Sequence, residues 1–234
     1  SNCTQAFVFT DKAEDPAMVF VAFRGTEMTS LQDWATDLHF GNYEIPGLGE
    51  VHMGFLEGLG FGTRKDIETL NQARDNMLAN MRLRANGAHG ADGGLLQISG
   101  LPNKHRKVLA YDEISKKIRP ILGANPRARL YVTGHSLGGA LATLFTAVRL
   151  YVHNDADESL GAVFTFGQPR VGNSKFARYM EQILCPRHCQ GHEKKYFRVV
   201  FGSDIVPRVP CWLTHSWPCY FYPSINQCEV REFA

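Results

Sequence analysis

Residues 129–152 read RLYVTGHSLGGALATLFTAVRLYV, and within them Gly134, Ser136 and Gly138 form the pattern G-x-S-x-G. A short β-rich run leads into the serine and an amphipathic helical run leaves it. That order predicts a strand, a turn too tight for larger side chains, and a helix starting close against the strand. Ser136 would then stand above the carboxyl edge of a sheet, at a helix N-terminus whose amides and dipole favour a developing negative charge. It is a nucleophile only if a base takes its proton. A plain glycine-rich junction with an idle serine would explain Gly138 and Gly139, but not a strand leading straight into Ser136. The N–H of Leu137, immediately after the nucleophile, is the geometric choice for one donor of an oxyanion hole.

A turn of this kind needs a framework of strands and helices. AFVF (6–9), MVFVAFRG (18–25), RLYVTG (129–134), AVFTFG (162–167) and YFRVVFG (196–202) are dense in Val, Phe and Tyr. They alternate poorly, as expected of strands buried on both faces. Between them the period changes to helical. Ile67, Leu70, Met77, Leu78 and Met81 share a face, as do Val108, Tyr111, Ile118, Ile121 and Leu122. Phe176, Tyr179, Met180, Ile183 and Leu184 form the clearest stripe, and Leu141, Leu144, Phe145 and Val148 bury the helix after Ser136. Strands alternating with helices predict an α/β fold around a mostly parallel sheet flanked by helices. Two stretches break the order. Residues 86–106 are Gly-rich and aperiodic, a surface excursion between two helices, and 203–234 read as irregular.

The chain has 234 residues, enough for one sizeable core and short for two, so residues 1–234 are read as a single domain. With 25 Lys and Arg against 23 Asp and Glu, charge gives no case for nucleic acid. No apolar run approaches the length that spans a bilayer. The chain begins at Ser1 without a Met or a signal-like apolar core, so a longer parent sequence is expected. Four of the six cysteines crowd the last fifth of the chain, and most of the six are read as free thiols in a reducing compartment.

FRGTE (23–27), GHSLGGAL (134–141), FGQPRVGN (166–173) and FRVVFGSDIVPRVP (197–210) resemble the class 3 lipases in order and spacing. DWATDL (33–38) and YEIPGLGEVHMGFLEGLG (43–60) look more like the plant oil-body triacylglycerol lipases than the secreted fungal enzymes. The resemblance implies an α/β-hydrolase fold and hydrolysis of lipid esters through an acyl-enzyme, without metal or organic cofactor. Ser136 corresponds to the family's nucleophile and Asp204 to its acid; the plainer alternative is an Asp that caps the turn before Pro207. Thr26 corresponds to the second oxyanion donor. Residues 27–40 correspond to a lid, in which Leu31, Trp34 and Leu38 could cover an acyl groove and open at an oil–water or membrane interface. A helix packed permanently on the core would use the same residues. By the same resemblance the protein is expected inside the cell, at a lipid droplet or membrane surface.

The base is the difficulty. His215 is the only histidine after Asp204 and lies eleven positions beyond it. Eleven extended residues reach about 36 Å, so distance does not forbid contact. Topology is less permissive, because acid and histidine belong at the ends of different strands and a parallel crossover takes about a dozen residues or more. Pro207 and Pro210 also disfavour a helix or central strand in the interval. In the plant lipases a histidine shortly after DIVPR is not the catalytic one. The catalytic histidine is therefore expected beyond residue 234, with His215 as the disfavoured alternative. His135, beside the nucleophile, is read as a satisfied core histidine. A chain without its histidine could also be a non-catalytic binding module. Phospholipids, galactolipids and smaller esters are alternative substrates, since acyl specificity lives in groove and lid. Cys185, His188, Cys189 and His192 could bind zinc, but their tight interleaving in a loop reads better as a solvated polar stretch, and no metal is expected.

Overall fold

A computed structural model describes residues 4–25, 41–85, 110–153, 157–184, 194–210, 213, 219–224 and 227–231. Nine strands and five helices are formed among them. The strands are β1 (Ala6–Thr10), β2 (Met18–Phe23), β3 (Asn42–Ile45), β4 (Gly49–His52), β5 (Arg129–His135), β6 (Leu160–Phe166), β7 (Tyr196–Phe201), β8 (Cys219–Ser224) and β9 (Gln227–Arg231). The helices are α1 (Met53–Leu59), α2 (Arg64–Ala85), α3 (Ala110–Ala124), α4 (Leu137–Val152) and α5 (Ser174–Leu184).

Seven strands form one sheet in the order β1-β2-β5-β6-β7-β8-β9. The inner pairs from β2 to β8 are parallel, while β1 and β9 close the two edges antiparallel. The order rises steadily across the sheet. Because parallel crossovers are right-handed, each connecting helix between β2 and β7 then falls on the same face. Burial follows that rule with a period of two. Val19, Val21, Phe23, Leu130, Val132, Val163, Tyr196 and Arg198 lie on the helix side and are buried. Phe9, Phe164, Phe166 and Phe201 take the other parity and are exposed. Phe9 stacks on Phe20 at 5.0 Å, Phe20 on Tyr131 at 5.4 Å, and Phe164 on Phe197 at 4.9 Å. Strands buried on both faces were expected. Aromatic residues on both faces hide the alternation that the structure shows.

The core lies between sheet and helices, with α4 at its centre. Every residue of α4 from Gly138 to Val152 is buried, because β2, β5 and β6 lie on one side of it and α1 and α2 on the other. Phe145 meets Phe23 and Tyr111 at ring separations of 5.6 and 5.3 Å. Each such fully buried side chain contributes about 1.5–3 kcal/mol relative to exposure. The stripe of α5 forms as expected, with Phe176, Tyr179, Met180 and Leu184 buried and Ile183 packed partly against the core. In α2 it holds only at its start, where Ile67 and Leu70 are buried; Met81 is exposed. The hairpin β3–β4 was not anticipated, and neither were β8 and β9 in the stretch read as irregular. Four-residue strands and a tail rich in Cys and Pro carry too little periodicity to declare themselves. The Gly-rich excursion and Val108 lie outside the described residues.

Candidate active site

β5 runs into Ser136, and α4 begins at the next residue. Ser136 has φ 54° and ψ −126°, a conformation that L side chains rarely adopt and that persists only when its surroundings over-determine it. Here the surroundings are mostly backbone. The Ser136 N–H donates to the Phe166 carbonyl at 2.8 Å, and the N–H groups of Gly139 and Ala140 donate back to the Ser136 carbonyl at 2.9 and 3.3 Å. A Cβ on Gly134 would stand 2.1 Å from the Gly138 carbonyl oxygen, and one on Gly138 would stand 2.3 Å from that of Phe23. The glycines of the motif are thus required by close backbone approach, as the sequence implied. The N–H groups of Leu137 and Gly138 precede the helical ladder and have no intrahelical acceptor, so they are available to an anion above Ser136.

Asp204 lies just past β7, next to the end of β6. Its N–H donates to the Phe201 carbonyl at 3.1 Å, and its Oδ1 accepts the Val206 N–H at 3.0 Å. The turn-capping role is therefore real, and it occupies one carboxylate oxygen. The other, Oδ2, lies 2.9 Å from where a Cβ on Gly167 would be, a point also 3.4 Å from His135 Nε2. Gly167, at φ 56°, leaves room for both groups. Oδ2 makes no hydrogen bond among the described residues, so one oxygen is fixed by backbone while the other faces the space beside the elbow.

His135 is not a core residue. It follows Tyr131 and Thr133 in parity, on the face away from the helices, and is exposed. Ser136 is only 2% exposed, and its Oγ has no hydrogen-bond partner among the described residues. No described histidine hydrogen-bonds to that Oγ. His215 precedes β8 in the chain and lies outside the described residues, as do Thr26, the lid positions Leu31, Trp34 and Leu38, and the cluster Cys185, His188, Cys189 and His192. The backbone leading to Thr26 is placed: a Cβ on Gly25 would stand 2.6 Å from the His135 carbonyl oxygen and 3.6 Å from the Ser136 Cβ. Among the described residues no group of three or more His, Cys, Asp or Glu could hold a metal ion, and no helix is long and apolar enough to cross a membrane.

Beneath the elbow lies a polar cluster that went unassigned in the sequence. The Tyr196 hydroxyl donates to Gln168 Oε1 at 2.6 Å, and the Thr143 hydroxyl lies 3.0 Å from Gln168 Oε1, from the Tyr196 hydroxyl and from the Gly139 carbonyl oxygen. The one available signal was Gln168 itself, a polar residue directly after an apolar strand.

Comparison with known proteins bears on the family and the fold. Residues 20–214 match the family model described as Lipase (class 3). The chain is 38% identical to the triacylglycerol lipase OBL1 of Nicotiana tabacum over 95% of its own length and 44% of that protein. It is 37% identical to the Arabidopsis thaliana protein of that name, over 98% of this chain and 42% of the relative. It therefore spans less than half the length of either plant protein. Among solved structures, the Rhizomucor miehei lipase propeptide complex superposes with a TM-score of 0.62 at 24% identity, covering 97% of this chain and 55% of the other. A mutant form of MDLA from Penicillium cyclopium gives 0.60 at 22%, over 97% and 64%. The fold is that of the α/β-hydrolases, a mostly parallel sheet with the helix after the elbow against it. Motifs, fold and relatives agree: the chain belongs to the class 3 lipase family.

Proposed function

We propose that Ser136 is the nucleophile of a carboxylic ester hydrolase that cleaves triacylglycerols through an acyl-enzyme, with Asp204 as the acid of its triad. The observation that carries this is the strained elbow, which holds at the start of α4 a buried Oγ with no partner among the described residues, with one strand, β6, between its strand and that of Asp204. In the first half-reaction Oγ attacks the ester carbonyl carbon and its proton passes to a base. The oxyanion forms against the Leu137 N–H and a donor at Thr26. The tetrahedral intermediate expels the alcohol, which takes the proton back from the base. In the second half-reaction water repeats the sequence on the acyl-enzyme and releases the fatty acid. Asp204 orients the base and stabilises its imidazolium through Oδ2. The relatives named triacylglycerol lipases support this substrate class, and the family supports action at a lipid surface such as that of a droplet.

Reaction with a fluorophosphonate ester followed by mass mapping tests the proposal, since such reagents capture only a serine whose proton is being removed. Where the base is in place, labelling at Ser136, abolished in Ser136→Ala, is the expected result. Loss of labelling in His215→Ala identifies His215 as the base, while retention places the base elsewhere. A chain that is folded by circular dichroism and stays unlabelled overturns the reading for these 234 residues. Hydrolysis of emulsified triolein in preference to phosphatidylcholine or galactolipid would fix the substrate, and the reverse preference would refute that part.

A further inference from the structure

The reaction above depends on two groups carried by different elements. Ser136 rides on the junction of β5 with α4, and Asp204 on the turn after β7. Between them runs the chain leaving β6: Phe166, whose carbonyl accepts the Ser136 N–H; Gly167, against which Asp204 Oδ2 rests; and then Gln168. Gln168 is 1% exposed. Its side chain turns away from the substrate edge, under the first turns of α4. A Cβ on Gly139 would stand 3.1 Å from the Gln168 Cβ, so the glycine lets the helix settle directly on this side chain. The amide oxygen of Gln168 is then met by the Tyr196 hydroxyl from β7 at 2.6 Å and by the Thr143 hydroxyl from α4 at 3.0 Å.

One side chain thus joins the nucleophile's helix to the acid's strand and lies one residue from the glycine that seats the carboxylate. The cluster is closed to solvent, with Gln168 and Tyr196 1% exposed and Thr143 0%. In such a setting a satisfied polar network fixes geometry, and one lacking a partner leaves buried hydroxyls uncompensated. An apolar side chain of the same size would fill the volume without setting the distance between α4 and β7. We propose that Gln168 is a positioning residue: through Tyr196 and Thr143 it sets the placement of Ser136 against Asp204. The inference rests on the serine-hydrolase reading for its catalytic consequence, but not for its structural one.

The test therefore has two readouts. Amide hydrogen exchange resolved by peptide reports the elbow directly, with no chemistry at Ser136. Gln168→Met, which keeps the volume and removes the amide, is expected to speed exchange across 134–141 by about tenfold, the effect of one lost buried hydrogen bond, while 144–152 exchanges as before. The second readout is fluorophosphonate capture of Ser136, where the maximal inactivation rate should fall by about tenfold or more with little change in reagent affinity. Gln168→Glu, protonated in this site, keeps the acceptor oxygen and should restore both readouts to within about threefold of wild type. Should Gln168→Met fail to fold, Tyr196→Phe removes one hydroxyl, keeps the ring, and should move both readouts in the same direction by a smaller factor. Unchanged exchange at 134–141, acceleration spread evenly over α4, or failure of Gln168→Glu to rescue would each overturn the proposal. If wild type is unlabelled, the hydrolase reading falls and the exchange pattern alone still decides the role of Gln168.

Discussion

Gly134→Ala adds one methyl group to the last turn of β5. That carbon would stand 2.1 Å from the Gly138 carbonyl oxygen, 2.2 Å from its carbon and 2.7 Å from the Gly139 nitrogen, where ordinary contacts are 3.4–4 Å. All three atoms are backbone of the first turn of α4, so no side chain can swing away. The helix start must retreat from the strand by about 1 Å, and α4 is packed all round, which places the cost near the upper end for overpacking, about 3 kcal/mol. For a domain of this size that corresponds to a melting temperature lower by about 6–12 °C. The control is the same substitution at Gly123 in α3, where an added Cβ meets nothing within 4 Å and the backbone is helical. Gly123→Ala should stabilise by about 0.5 kcal/mol or slightly more, through helix propensity. Thermal unfolding followed by circular dichroism reads both. Equal melting temperatures for Gly134→Ala and wild type, or shifts of the same sign in the two variants, would refute the claim that backbone contact demands the first glycine of the motif.

Ser136→Gly should raise stability by about 1 kcal/mol in denaturant titration, because glycine accepts φ 54° and a buried hydroxyl with no partner among the described residues is gone; a loss of stability would count against strain at the elbow. Arg149 and Asp157 form an ion pair with side chains only 9% and 7% exposed, and Asp157 also accepts from Ser159 at 2.6 Å. Asp157→Ala should therefore cost about 3–5 kcal/mol, and the double change to apolar residues should cost less than the single one. Burial, and then the Arg149 charge, lower the His153 pKa to about 4. The unfolded chain takes up this proton first as pH falls from about 6.5, so the folded state loses stability between there and pH 4, by about 3 kcal/mol from this group. His153→Gln should remove that part of the slope in unfolding titrations at pH 7 and pH 4; an unchanged slope would show that His153 is not held neutral.

What could be read from the residues in order was whatever rests on local rules. Glycines at fixed offsets around Ser136 announce a strand–turn–helix because only that geometry needs them, and the α5 stripe follows from a period of 3.6. Asp204 was legible as a carboxylate after a strand, and the resemblance suggested the role proposed for it. Tertiary structure decided the rest. Whether His135 lies inside or outside depends on which sheet face the helices cover, and that follows from the strand order rather than from any one strand. The exposed Phe9, Phe164, Phe166 and Phe201 look like core residues in the sequence for the same reason. The link from Gln168 to Thr143 and Tyr196 spans 25 and 28 positions and joins three elements. No local pattern encodes it, because a hydrogen bond between distant residues exists only once the chain has folded and brought them into register.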